Sequence, residues 1–145
     1  MIAALLFLSS LVFLPGALPL VDAYSREPNQ EPFYPCALRM CRACGHIQLS
    51  EVVDPQLLFR DYLFRTADYP WLVEHYARYA AAAFTEFKPQ VVVEIGSNDG
   101  TLARMFERRG AKCLGVDPAN VPVTVETIRE YFTPAVAQAI RDGYQ

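Results

Sequence analysis

The chain has 145 residues, 52% of them hydrophobic and 20% charged, which is enough apolar material for a core and too ordered a balance for a disordered chain. A net charge of −3 with no long basic run argues against nucleic acid as a main partner. Four cysteines, at 36, 41, 44 and 113, are not a disulfide framework, because only Cys41 and Cys44 have a suggestive spacing.

In chain order, "MIAALLFLSSLVFLPGALPLVDA" (1–23) has an apolar stretch of signal-peptide length and a small residue, Ala23, near a candidate cleavage point. No Lys or Arg precedes Arg26, as a leader would need. Pro15, Gly16 and Pro19 interrupt the run, so a spanning helix and a membrane partner are not expected. A cytoplasmic chain is favoured, with export on residues 1–23 as the alternative.

Residues 24–35 are polar and carry three prolines, the composition of a loop. In "CALRMCRACGHIQLSEV" (36–52) apolar residues alternate around Cys-x-x-Cys-Gly, which predicts two short strands over a knuckle. Asp54-Pro55 reads as an N-cap and first helical residue, opening a short helix through "QLLFRDYLF". Pro70 opens a longer one, with Leu72, Val73, Tyr76, Tyr79, Ala80 and Ala83 at helical spacing, stopped at Lys88-Pro89. His75, on that helix, reads as a surface residue.

From residue 91 strand and helix alternate. Val91–Ile95 is a continuous apolar strand, Thr101–Arg109 a helix with Leu102, Met105 and Phe106 on one side, and Gly110 its stop. "KCLGVD" (112–117) is a second strand, with Cys113 in the core, and "VTVETI" (123–128) a third. Thr133-Pro134 caps a last helix ending near Gly143. The fold class expected is α/β: the start of a doubly wound sheet at 90–145, preceded by a β-hairpin region at 1–53 and a helical linker at 54–89.

The chemistry concentrates in "VVVEIGSNDGTLARMF" (91–106). A strand-to-helix turn needs backbone conformations that a β-carbon disfavours, and Gly96 and Gly100 supply them while admitting a ligand close to the main chain. The helix from Thr101 is expected to aim unpaired N–H groups at that ligand. Asp117, at the end of the next strand, is placed to accept hydrogen bonds from both hydroxyls of a ribose, which points to an adenosine-containing cofactor. A dinucleotide fingerprint wants Gly-x-Gly-x-x-Gly, and here Asn98 stands where the middle glycine would be. Glu94, two residues before Gly96, would repel a pyrophosphate and attract the ammonium of a methionine-like group. The pattern Glu-x-Gly-x-x-x-Gly therefore reads as S-adenosylmethionine binding by Glu94, Gly96, Ser97, Asn98, Asp99, Gly100 and Asp117. The competing reading makes Gly96 and Gly100 a plain turn and Glu94 a solvated strand end.

These residues, with "GVDPAN" after them, resemble the sugar C-methyltransferases of bacterial deoxysugar pathways. "CRACGHIQLSEVVDPQLLFRDYLF" resembles the segment joining that family's small zinc-binding domain to its methyltransferase domain, and "LPGALPLVDAY" the segment just before it. The resemblance implies a class I methyltransferase (Rossmann-like) fold, S-adenosylmethionine as donor, and a nucleotide-linked keto-deoxysugar as acceptor, methylated through an enolate. It places Tyr62, with Phe64 and Thr66, near the donor; the competing reading makes them helix-packing aromatics. It also implies zinc on two Cys-x-x-Cys pairs, of which only Cys41 and Cys44 are present, with Cys36 and His46 as strained substitutes. On the family pattern the chain is cut short at both ends, with the general base and sugar-binding residues beyond Gln145. The strand at Val91–Ile95 is then an open edge through which copies associate. A non-catalytic binding module, built from a zinc knuckle and a nucleotide fold, is the alternative.

Overall fold

The computed structural model describes residues 9–20, 27 and 31–143. The chain divides into two compact units, Met1–Leu58 and Phe59–Gln145.

The first unit is an antiparallel sheet in the order β1-β2-β3, formed by β1 (Ser9–Pro19), β2 (Phe33–Cys41) and β3 (Ile47–Leu49). The knuckle expected from the alternation is there: Cys41 N–H donates to the His46 carbonyl at 2.8 Å and Gly45 N–H to the Cys41 carbonyl at 2.9 Å. Strand β1 lies inside the run that resembles a leader, where the sequence predicts no strand. Leu11 to Leu14 are apolar without a break, so the two-residue period that announces a half-buried strand is missing. Two register shifts, between Leu11 and Phe13 and between Phe13 and Gly16, carry the kinked middle of β1 past β2. Strand β2 also claims Phe33 to Pro35 from the expected loop. Helix α1 (Pro55–Phe59) is capped as predicted, with Gln56 N–H donating to Asp54 Oδ1 at 2.9 Å, but it stops well short of Phe64.

The second unit holds a 3-10 turn (Thr66–Asp68), α2 (Pro70–Phe87), β4 (Val91–Ile95), α3 (Thr101–Glu107), β5 (Lys112–Val116), β6 (Thr127–Ile128) and α4 (Pro134–Gly143). Its three strands are parallel in the order β4-β5-β6, with Val91 opposite Lys112 and Ile95 opposite Val116. The expected third strand over 123–128 shrinks to two residues. Asp99 is the reason: its carbonyl accepts from both the N–H and the hydroxyl of Thr124, at 3.0 Å each, and so diverts the chain before it can join the ladder. Helix α3 ends two residues early, where Gly110 (φ +101°) donates its N–H to the Glu107 carbonyl.

Helices α2 and α3 meet through alanine. Ala80 and Ala103 are completely buried, which gives part of the 80–83 alanine run its purpose: close approach of two backbones. Met105, Phe106, Ala111, Val125 and, as expected, Cys113 complete the core, with Val73, Tyr76 and Phe84 of α2 packed against it. Tyr79 instead lies 53% exposed, its ring edge-on to Phe106 at 6.5 Å. His75 is exposed. Strand β4 pairs only with β5 among the described residues, and Val91, Val93 and Ile95 are exposed along it. No helix among the described residues is long and apolar enough to cross a membrane.

Candidate functional site

The chain leaves β4 through Gly96, whose φ of +73° favours glycine and whose N–H donates to the Val116 carbonyl at 2.9 Å, tying the turn to the end of β5. No atom lies within 4 Å of where a β-carbon on Gly96 would be, so the main chain there faces open space. Gly100 (φ +78°) is glycine for a further reason: a β-carbon would come within 2.7 Å of Val125 Cγ2 and 3.2 Å of Thr124 Oγ1. One glycine leaves room for a ligand; the other lets the 124–125 segment pack.

Between them, three polar residues have separate tasks. Ser97 is buried, its hydroxyl without a partner among the described residues and close to Gly115, where a β-carbon would lie 2.5 Å from it. Asn98 takes a left-handed φ of +51°; its N–H donates to Asp117 Oδ2 at 2.8 Å, and its side chain bonds the Phe64–Thr66 segment. Asp99, 1% exposed, accepts from Ala67 N–H at 2.8 Å, from Thr101 N–H at 3.1 Å and from the Thr101 hydroxyl at 2.6 Å.

Asp117, half-buried at the end of β5, accepts from the N–H groups of Asn98 (2.8 Å) and Ala119 (2.7 Å), one on each oxygen. Each oxygen keeps a second lone pair for a ligand hydroxyl. Arg129 holds the following turn, donating to the carbonyls of Ala119 and Val121 at 2.6 Å each. Glu94 points to the helix side of the sheet, where its Oε2 accepts from Ala103 N–H at 2.9 Å. Burial pushes its carboxyl up to about 7; the Ala103 bond opposes that rise, and the nearby charges of Asp99 and Asp117 add to it. The unpaired N–H groups expected at the start of α3 are therefore largely spent. Asp99 and Glu94 cap Thr101 and Ala103, because a helix start needs partners whether or not a ligand is present.

A pocket of about 410 Å³ opens at the carboxyl ends of β4 and β5. Of the residues singled out from the sequence, Tyr62, Gly96, Asn98 and Asp117 line it, as do Phe64 and Thr66. Glu94, Ser97, Asp99 and Gly100 stand behind the wall and hold it. Sequence reasoning missed Phe59, Tyr131 and Phe132 and gave Tyr76 to helix packing alone, yet all four line the pocket. The Tyr131-Phe132 pair just past β6 was the available signal. On one side Phe59, Tyr62 and Phe64 stand in a row, with centroids 6.3 Å and 6.1 Å apart, and Phe64 is backed by Tyr69, stacked on it at 4.9 Å.

The knuckle is less complete. Backbone N–H groups of Cys44 and Ala43, then the Cys44 thiol, lower the Cys41 pKa below the usual thiol value. Cys36 is five residues back along β2, on the opposite face and about 17 Å away at ~3.3 Å per residue. Among the described residues, no three His, Cys, Asp or Glu side chains gather closely enough to hold a metal. A closed structural zinc site needs four ligands, and Cys41 and Cys44 supply half. The residues described here do not fit a zinc ion.

Comparison with known proteins agrees with both halves of the sequence reading. Residues 8–59 match the family model described as "Putative zinc binding domain". The chain is 29% identical over 123 residues to the C-methyltransferase NovU of Streptomyces niveus, an alignment covering 79% of this chain and 29% of that protein. The chain thus spans less than a third of the length of the curated relative it matches. A mixed α/β chain with a pocket at its parallel strand ends is thus similar, over most of its length, to part of a C-methyltransferase.

Proposed function

We propose that the second unit is the donor-binding part of a class I, Rossmann-like methyltransferase, using S-adenosylmethionine to C-methylate a nucleotide-linked keto-deoxysugar. One observation carries the reading: Asp117, fixed by two backbone N–H groups, stands beside the unobstructed main chain of Gly96 in a pocket walled by aromatic rings. The volume of about 410 Å³ lies within the range of roughly 300–1,000 Å³ that small-molecule sites occupy.

In this reading Asp117 accepts the two ribose hydroxyls, the Gly96 turn admits the ligand against the backbone, and Tyr62 and Phe64 offer ring faces to its apolar parts. When bound, S-adenosylmethionine supplies a sulfonium-activated methyl group. The aromatic wall keeps water from that position, and Glu94 lends negative character behind the loop that a cationic ligand would strengthen by drawing its pKa down. The same reading includes association of copies along the exposed β4 edge, since an apolar strand with unpaired backbone groups recruits other chains.

Calorimetric titration with S-adenosylhomocysteine tests it. Asp117→Ala removes two hydrogen bonds to a charged acceptor and is expected to weaken binding by about 1.5–3 kcal/mol. An affinity unchanged in Asp117→Ala would put the ligand elsewhere.

A further inference from the structure

Asn98 is the only non-glycine residue of the 96–100 loop with a left-handed φ, a conformation that persists in such residues where surrounding bonds over-determine it. Those bonds run in two directions. The backbone N–H donates to Asp117 Oδ2 at 2.8 Å. The side chain points the other way: Nδ2 donates to the Phe64 carbonyl at 2.8 Å, while Oδ1 accepts from the Thr66 N–H at 3.0 Å and the Thr66 hydroxyl at 3.4 Å. Its neighbour Asp99 extends the same seam by taking the Ala67 N–H at 2.8 Å. Residues 64–67 lie more than thirty positions away in sequence and bring Phe64 and Thr66 to the pocket lining, yet they have been fastened to the loop that holds the acid.

We infer that Asn98 is a positioning residue: its side chain locks the Phe64–Thr66 segment onto the glycine loop, so that the aromatic wall and the Asp117 carboxylate face a ligand as one rigid unit. The inference rests on the cofactor reading above and changes the part Asn98 plays in it. The amide group braces the site, its oxygen and one of its two N–H donors already committed within the protein, and the ligand is left mainly to Asp117, Gly96 and the rings.

Asn98→Gly isolates the role, because glycine keeps the left-handed φ and the N–H donated to Asp117 and deletes only the side-chain bonds. Two measurements are made at a temperature where circular dichroism shows the variant folded. Amide exchange at Thr66 is expected to accelerate about ten-fold or more, since its acceptor is gone. Affinity for S-adenosylhomocysteine is expected to fall about ten-fold, an effect that a residue serving stability alone would not have on the folded protein. A variant that binds as well as the wild type, or a Thr66 amide that exchanges no faster, overturns the inference while leaving the cofactor reading intact. A wild-type chain that does not bind the ligand overturns the cofactor reading, and this inference with it.

Discussion

Two glycine-marked turns, each at the end of a strand, behave differently. The 41–46 knuckle closes mainly on itself: its backbone bonds run between Cys41, Gly45 and His46, and one side chain, Arg42, reaches back to donate to the Ser10 hydroxyl at 2.8 Å. The 96–100 loop closes on the rest of its unit, with partners at Phe64, Thr66, Ala67, Asp117 and Thr124. Both carry residues whose spacing suggests a ligand. The loop has several distant segments bonded to it where the knuckle has the single side-chain tie to β1, and of the two turns only the loop lines a pocket among the described residues. Spacing nominates a site; closure by remote chain completes it.

Adding a methyl group to each turn sharpens that contrast. Gly45 (φ +73°) has nothing within 4 Å of a prospective β-carbon, so Gly45→Ala should cost only the left-handed strain, roughly 1–2 kcal/mol. Gly100→Ala adds the collision with Val125 to the same strain, roughly 2–5 kcal/mol in all. Native-state hydrogen exchange of the two sheets compares them directly, and equal losses would mean that the loop is no more tightly enclosed than the knuckle.

A titration probes the same enclosure. The Glu94 carboxyl, ordinarily near 4.5, is raised to about 7 in the folded chain, chiefly by burial. An acid that binds its proton more tightly when folded adds stability that is complete below about 4.5 and lost as the pH rises through about 7. Glu94→Gln keeps an oxygen for Ala103 N–H and cannot ionise. It should therefore be more stable than the wild type at pH 8, by about 2 kcal/mol after allowance for partial exposure. The two proteins should converge near pH 4. Urea unfolding followed by Trp71, which lies in the second unit, measures this; parallel stability profiles would place Glu94 in solvent.

The smallest effect belongs to the cysteines. Cys41 has a lowered pKa beside exposed Cys44, whereas burial pushes the Cys113 thiol up to about 11. Iodoacetamide at pH 7.5 should label the knuckle first and leave Cys113 unmodified in the folded chain. With only half a ligand set, Cys44→Ser should shift stability by no more than about 0.5 kcal/mol. One tightly held zinc per chain, with a large loss in Cys44→Ser, would show that further ligands complete the knuckle.

What the sequence made legible follows from how local each signal was. Strand β4, helix α3 and strand β5 are announced by a β-branched run, a glycine pair and a glycine stop within 26 residues, Val91 to Val116. The position of Asp117 in the pocket lining is readable because it follows from a place at a strand end. Strand β1 was hidden, since an unbroken apolar run punctuated by Pro15 and Gly16 has no strand period. The third strand was overestimated because nothing near Thr124 discloses that Asp99, 25 positions earlier, will take its N–H and hydroxyl. Asn98 and Asp99 looked like ligand contacts for the same reason: their partners at 64–67 are remote, and no local pattern reveals a bond across such a distance. Sequence reading named residues that the structure gathers at one pocket and misjudged which polar groups were free.

Chemical-shift mapping of S-adenosylhomocysteine onto the isotopically labelled chain tests the central claim most directly, because both turns are observed in one experiment. The account predicts shifts concentrated at Gly96, Asn98, Asp117 and Ala119 and in the rings of Tyr62 and Phe64, with Cys41, Cys44 and Gly45 unmoved. Shifts centred on the knuckle, or no shifts at millimolar ligand, would contradict it.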